Sequence, residues 1–404
     1  MNKVLIFSAL SSAIISGCGG GGGNNTGGTS SNDAPSPVQP TTKIGYFRDA
    51  PVTGVEFRTE TQLGFTGEGG SFKYLEGETV QFNIGTLHIG STKASRIITP
   101  FDMTSFLSVE HDENTNMVRV LMSLDEDGNP DNGIEISKVT REYLSNDIDA
   151  SHLDITKDSA VDEFALALSQ IDSDRVVPSK RDAVEHFNET VKCALSGVFL
   201  GEYSGDGQGA FLVAIEPDDL KPVGLFKPED SYLYEWFGFS GLPLEVKGGS
   251  QPLALGSSTE DGEYADVAFS AEFSFDDVIG KWSQSGQELG SLTGERFVSS
   301  QGDASIKYVG TFKTPGEDFI GGVIQIVTTK DNFAAVDWYD TAWNKQEHYG
   351  SMLEDDGEIT LTSSSEYETS FSFNIGNTAG EKITTTVRDS QGEEVEVTLS
   401  SCRI

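Results

Sequence analysis

The sequence predicts a mainly β protein with a helical bridge: a small N-terminal β-sandwich module, a helical segment, and a C-terminal antiparallel β-barrel or sandwich. Three observations carry this expectation. Apolar and polar residues alternate strictly through 267–275, 371–375 and 395–399, so each of these segments buries one face of a sheet. Between about residues 100 and 192 the apolar residues recur instead at helical spacing. A chain of 404 residues also exceeds one ordinary core, which calls for two or three folded units.

Charge narrows the partners. The chain carries 27 Lys+Arg against 64 Asp+Glu, a formal net charge of −37. Such a surface repels phosphate and anionic headgroups, which excludes a nucleic-acid binder or a polybasic membrane-surface protein. Hydrophobic residues are only 36% of the chain, but 24 Phe, 11 Tyr and 4 Trp supply bulk for the cores.

Taken in order, residues 1–18 place Lys3 ahead of an apolar run of Val4, Leu5, Ile6, Phe7, Leu10, Ile14 and Ile15. That is the pattern of a secretory signal, too short to span a bilayer permanently. Its end, Ile15-Ser16-Gly17-Cys18, resembles the bacterial lipobox, which implies a Cys18 that is lipidated and becomes the new N-terminus. Gly19 is not Asp, and the resemblance then implies delivery to the outer membrane, where the expected place of the lipid-anchored protein is the cell surface. Residues 19–42 are rich in Gly, Asn, Ser and Pro without apolar period, the composition of a tether spanning roughly 25–30 Å.

Residues 43–99 read as short strands, with apolar patches at 52–57, 71–75 and 79–84 divided by turn signals. The pieces Asp49-Ala50-Pro51-Val52-Thr53-Gly54-Val55, Gly64-Phe65-Thr66, Gly70-Ser71-Phe72 and Gly77-Glu78-Thr79-Val80 resemble the carboxypeptidase-regulatory-like or transthyretin-like β modules of bacterial surface proteins. The resemblance implies a spacer or docking unit. In residues 100–192, Met117, Val118, Val120, Leu121 and Leu124 form one stripe, and Ala160, Phe164, Ala165, Leu168 and Ile171 a second. A third stripe, Val184, Phe187, Val191 and Leu195, follows Ser179 and Asp182 as a capping pair.

Between the first two stripes lies the chemically suggestive stretch 124–135. Asp125, Asp127 and Asn129 have the first, third and fifth spacing of a calcium loop, with Asp131 close behind. Pro130 stands where an EF-hand needs Gly, and Ile136 where it needs Glu, so this is either an irregular calcium site or a plain Asp/Asn/Gly turn. No other cofactor is indicated.

Residues 193–404 read as about nine strands of an antiparallel β domain. Its opening, from Gly197 to Gly205, resembles the first strands of barrel domains in outer-membrane surface lipoproteins. With Cys18 lipidated, Cys193 and Cys402 remain at the two ends of this domain, and in an oxidising compartment a bridge between them is the expectation. It is expected to hold the last strand beside the first.

The five His form no HExxH pair or zinc-knuckle spacing, and Gly238-Phe239-Ser240-Gly241-Leu242 fails as a nucleophile elbow. The most distinctive patch is 337–349, where alternation turns Trp338 inward and leaves Trp343, with Asp340, His348 and Tyr349, as the expected face for a glycan or protein ligand. Trp236 and Trp282 are expected in the core. The order of lipobox, tether, small β module, helices and β domain resembles uncharacterised multi-domain surface lipoproteins of Gram-negative bacteria. That family carries no settled activity, and the expected function is a non-enzymatic surface binding or adhesion protein. The alternatives are a glycan-directed envelope hydrolase using carboxylates and a periplasm-facing assembly factor.

Overall fold

The computed structural model describes residues 41–171, 175–229, 237–257, 266–297, 304–316, 320–340, 345–362, 370–388 and 394–404. The expectations for Cys18, the tether up to residue 40, Trp236 and Trp343 lie outside these residues.

The first part is two small sheets face to face. One holds β1 (Lys43–Phe47), β5 (Ser71–Tyr74) and β8 (Ile97–Ile98), in the order β5-β1-β8. The other holds β3 (Glu56–Arg58), β4 (Leu63–Phe65), β6 (Thr79–Ile84) and β7 (Leu87–Lys93), in the order β4-β3-β6-β7. Their inward residues are aromatic: Phe47 stacks on Phe82 at 4.5 Å, and Phe72 meets Phe82 edge-on at 5.4 Å. The remaining short pair, β2 (Val52–Thr53) and β9 (Ile134–Glu135), is parallel and ties the acidic stretch to this module.

Five helices follow: α1 (Pro100–Met103), α2 (Asp112–Ser123), α3 (Lys138–Asn146), α4 (Asp158–Ile171) and α5 (Lys180–Leu195). Local chemistry starts them. Ser137 accepts from the Thr140 amide ahead of α3, and Ser179 from the Asp182 amide ahead of α5, each satisfying one of the free N–H groups of a first turn. The stripes then divide between two cores. Met117, Val120, Leu121, Leu144, Phe164 and Leu168 join the core of the β module. Val118, Phe187, Val191 and Leu195 join that of the following barrel. α2 therefore has one face in each core, which is why the segment is apolar over more than one stripe.

The C-terminal region holds sixteen strands in the described residues, arranged as two sheet systems where the sequence suggested one domain of about nine strands. The first is a closed antiparallel barrel of β10 (Gly197–Gly205), β11 (Gly209–Ile215), β12 (Pro222–Pro228), β13 (Phe237–Gly241), β14 (Gln251–Ser257), β15 (Val267–Phe273), β16 (Asp277–Gln284) and β17 (Gln287–Arg296). β17 pairs back onto β10, so no edge is left open. The second is a six-stranded sheet with order β21-β20-β19-β18-β25-β24 and a separate hairpin β22-β23. Its strands are β18 (Ala304–Lys313), β19 (Gly322–Thr329), β20 (Phe333–Asp340), β21 (Lys345–Met352), β22 (Glu358–Thr362), β23 (Ser370–Asn374), β24 (Lys382–Arg388) and β25 (Glu394–Arg403). One face of the sheet closes with the hairpin over Tyr308, Phe312, Ile326, Trp338, Ile359 and Phe373. The other packs Val309, Val323 and Tyr339 against Val198, Leu212 and Leu225 of the barrel wall. β19, between the two, is buried along its whole length.

Cys193 and Cys402 are bridged, with Cα atoms 5.6 Å apart. The bridge does not set the last strand beside the first. Cys193 sits in the final turn of α5, and β25 lies between β18 and β24. The same helix end is capped from two strands. Lys307 on β18 donates Nζ to the Cys193 and Ser196 carbonyls at 2.6 and 2.8 Å, and Arg296 on β17 donates to the Ala194, Ser196 and Phe275 carbonyls. The carbonyls of Cys193, Ala194 and Ser196 are the acceptors that a helix leaves unpaired at its C-terminus, and cations are favoured there, while Phe275 lies in the turn between β15 and β16. Burial lowers the Arg296 guanidinium to about 10 and holds the Lys307 amine well below its usual range.

Candidate functional site

A barrel of this size could hold a small ligand in its lumen. Here Phe226 stacks on Phe269 at 3.5 Å and on Phe211 at 5.4 Å, with Phe239 edge-on to both Phe226 and Phe269. Trp282 closes on Tyr203 and donates Nε1 to the Ser204 carbonyl at 3.0 Å. The space left among Phe211, Leu253, Phe269, Val278 and Leu292 is about 10 Å³, no more than one water. The lumen is therefore a core, with Trp282 in it as the sequence suggested.

The large concavity lies elsewhere. A cleft of about 750 Å³ opens between the acidic stretch after α2, the β module and the end of the C-terminal sheet. Asp125, Asp127 and Glu135 line one wall, and Thr329, Lys330, Asn332 and Arg403 the other. Lys330 reaches across to Glu68 at 3.4 Å.

The acidic wall is held by the backbone. The Glu126 amide donates to the Glu135 carbonyl at 3.0 Å, and the Ile134 amide to the Pro51 carbonyl at 2.9 Å. Gly133, at φ 108°, makes the bend between them, a conformation that favours glycine. Asp125 accepts from the Glu135 amide through Oδ1 at 2.8 Å, while its buried Oδ2 has no donor. Asp127 accepts from the Asn129 amide and from Asn132 Nδ2, at 2.9 and 2.8 Å. The two carboxylates stand side by side with different acidities. Burial and the neighbouring Asp127 push Asp125 up to about 6, whereas the donors from Asn132 and Asn129 hold Asp127 below its usual range.

Of the four residues expected at a calcium loop, the structure brings Asp125 and Asp127 together. Asn129 and Asp131 sit on the exposed single 3-10 turn that follows, and Asp131 contributes to the field at His186 rather than at Asp125. The reason is Pro130, which starts that turn and swings the chain away from the loop. Among the described residues no group of three or more His, Cys, Asp or Glu side chains is gathered at one point.

The aromatic patch is divided by strand alternation. Trp338 is buried, stacked on Phe312 at 4.3 Å, and Tyr349, across from Val336, is half-buried against Phe371. His348 lies across from Asp337 on the opposite face, its Nδ1 against the Asp337 carboxyl. Burial raises that carboxyl, and the His348 contact pulls it back. Asp340 ends β20 opposite Lys345. Adjacent residues His348 and Tyr349 thus face opposite sides of β21 and cannot line one ligand face as expected, and neither lines the cleft. The cleft's far wall, at Thr329, Lys330, Asn332 and Arg403, had no signal in the sequence: its residues lie on two segments, 329–332 and the end of β25, that only the sheet brings together.

No family model and no curated protein matches this chain. Among solved structures, it is similar to a protein of unknown function from the DUF3598 family of Nostoc punctiforme, at 10% identity and a TM-score of 0.17, over 53% of this chain and 98% of that one. It is also similar to the isotype 1 transferrin-binding protein B of serogroup B Neisseria meningitidis, at 12% identity and a TM-score of 0.19. That match covers 49% of this chain and 53% of the other, so the chain spans about half the length of that neighbour. Both neighbours are β-rich.

Proposed function

We propose that this is a lipid-anchored protein of the outer membrane, displayed at the cell surface, whose folded part binds a glycan or protein ligand without chemical turnover. The cleft is the observation that carries the binding reading. It offers carboxylates, amides, hydroxyls and two cations from separate segments in one polar concavity of about 750 Å³, the kind of surface that meets a hydroxyl-rich ligand, while the barrel lumen is filled. The anchor reading rests on the run ending Ile15-Ser16-Gly17-Cys18 and on the tether that follows.

Two experiments test the proposal. Cys18→Ala is expected to release the protein from the membrane fraction or leave it uncleaved, and retention after detergent-free washing overturns the anchor. A glycan array and surface-protein pull-down with the wild type and the double variant Lys330→Ala/Arg403→Ala is expected to return a ligand that the variant loses at nearly unchanged melting temperature. Equal binding by both removes the cleft from the proposal.

One observation favours a hydrolase instead: Asp125, pushed up to about 6, stands beside Asp127, held below its usual range, as two carboxyls with separated acidities. Glycoside cleavage, however, needs its two carboxyls about 5–9.5 Å apart, whereas these are in mutual contact. Turnover on a panel of glycans separates the two readings.

A further inference from the structure

We propose that the loop following α2 is a calcium site, with the Asp125 and Asp127 carboxylates as its charged ligands at the wall of the cleft. The proposal stands independently of the ligand the cleft takes. Its first support is Asp125 itself. The residue is only 3% exposed, its carboxyl adjoins that of Asp127, and its buried Oδ2 has no hydrogen-bond partner. A buried carboxylate oxygen without a donor is costly, and a second carboxylate against it makes matters worse. The other three oxygens of the two carboxylates each have a donor: Asp125 Oδ1 the Glu135 amide, and the two Asp127 oxygens Asn129 and Asn132. A cation held between the two side chains supplies the partner that Asp125 Oδ2 lacks.

The chemistry of the donors selects the ion. The loop from 125 to 135 contains neither His nor Cys, so its ligands are oxygens only, which suits a hard cation and not zinc or copper. Its oxygens come from an irregular turn pinned by backbone hydrogen bonds to Pro51 and Glu135, with no octahedral arrangement imposed. Calcium accepts irregular sets of six to eight oxygens, while magnesium demands near-ideal octahedra and keeps its water. With two carboxylates, completed by neutral oxygens such as the Asn132 amide, loop carbonyls and water, the site belongs to the weak class, with Kd on the order of 10⁻⁴–10⁻³ M.

The experiment is calcium titration of the purified full chain, followed by calorimetry and by thermal melting at matched ionic strength, with magnesium and a chelator as comparisons. The expected result is a saturable site of one calcium per chain and a melting temperature raised more by calcium than by equal magnesium. Asp127→Asn and Asp125→Asn are expected to weaken that site at least tenfold, and Asp131→Asn to leave it unchanged. Because a strongly acidic chain also gains stability from any divalent cation by screening, an equal shift with magnesium, or in Asp127→Asn, overturns the proposal. Asp127 is exposed, so its variant stays informative if Asp125→Asn fails to fold. Absence of any saturable calcium heat up to 10 mM, about ten times the weakest Kd of this class, also overturns it.

Discussion

Asp125 shows how much one side chain depends on its surroundings. In calcium-free protein its folded carboxyl titrates near 6, against 3.8 in the unfolded chain. Between those values the folded form holds a proton that the unfolded form has released, so stability falls as pH rises through pH 4–6. The loss reaches up to about 3 kcal/mol above pH 6 and vanishes below pH 4. Asp125→Asn keeps the acceptor for the Glu135 amide and supplies a donor toward Asp127. In chelator, chemical denaturation is expected to find this variant more stable than wild type at pH 7, by about 1–3 kcal/mol, with the two converging near pH 4. A wild-type profile flat across that window refutes the assignment. At Trp338 the alternation read from the sequence agrees with the structure: the ring is core, and Trp338→Ala is expected to cost about 3–5 kcal/mol in the same assay. The pattern placed Trp338 because it sits mid-strand, whereas Tyr349, on the next strand, needed the hairpin register before its face could be assigned.

At the scale of elements, the C-terminal end of α5 is where the parts of the molecule are fastened together. Lys307 and Arg296 bring strands of both sheet systems onto its carbonyls, and the disulfide joins it to β25 across 209 residues of sequence. Closing so long a loop restricts the unfolded chain, an effect worth at most about 5 kcal/mol in the chain-entropy model. Cys193→Ser/Cys402→Ser is accordingly expected to lower the unfolding free energy by about 2–5 kcal/mol while keeping the β-rich circular dichroism, and unchanged stability would show that the caps suffice alone. Helices α2, α4 and α5 were legible because their apolar stripes persist over three turns or more. α3 was not, since among its nine residues only Thr140 and Leu144 are buried. Strands β12, β16 and β17 escaped for a related reason: glycines, prolines and charges interrupt their alternation, and hydrogen bonding to neighbours on both sides holds them in the barrel.

Over the whole molecule the −37 charge sets the response to salt. Self-repulsion among carboxylates extends about 30 Å at 0.01 M ionic strength and about 8 Å at 0.15 M, so sodium chloride is expected to raise the melting temperature by a few degrees over that range. A melting temperature that falls with salt would mean that exposed pairs such as Lys43–Glu76 and Lys281–Glu288 outweigh the net repulsion. The sequence by itself determined the class of fold, the half-cystine pair, the acidic loop and the surface charge, because each depends on composition or on spacing within about ten residues, or on there being only two cysteines left to pair. The tertiary structure alone decided that the C-terminal strands form a filled barrel and a second sheet, that β19 is buried on both faces, and that the acidic loop faces Lys330 and Arg403 across a cleft. Those outcomes rest on contacts between distant segments, some 85 to 140 residues apart where the sheet meets the barrel and some 200 to 280 across the cleft, whose register is set by which faces close on one another and leaves no period in the chain.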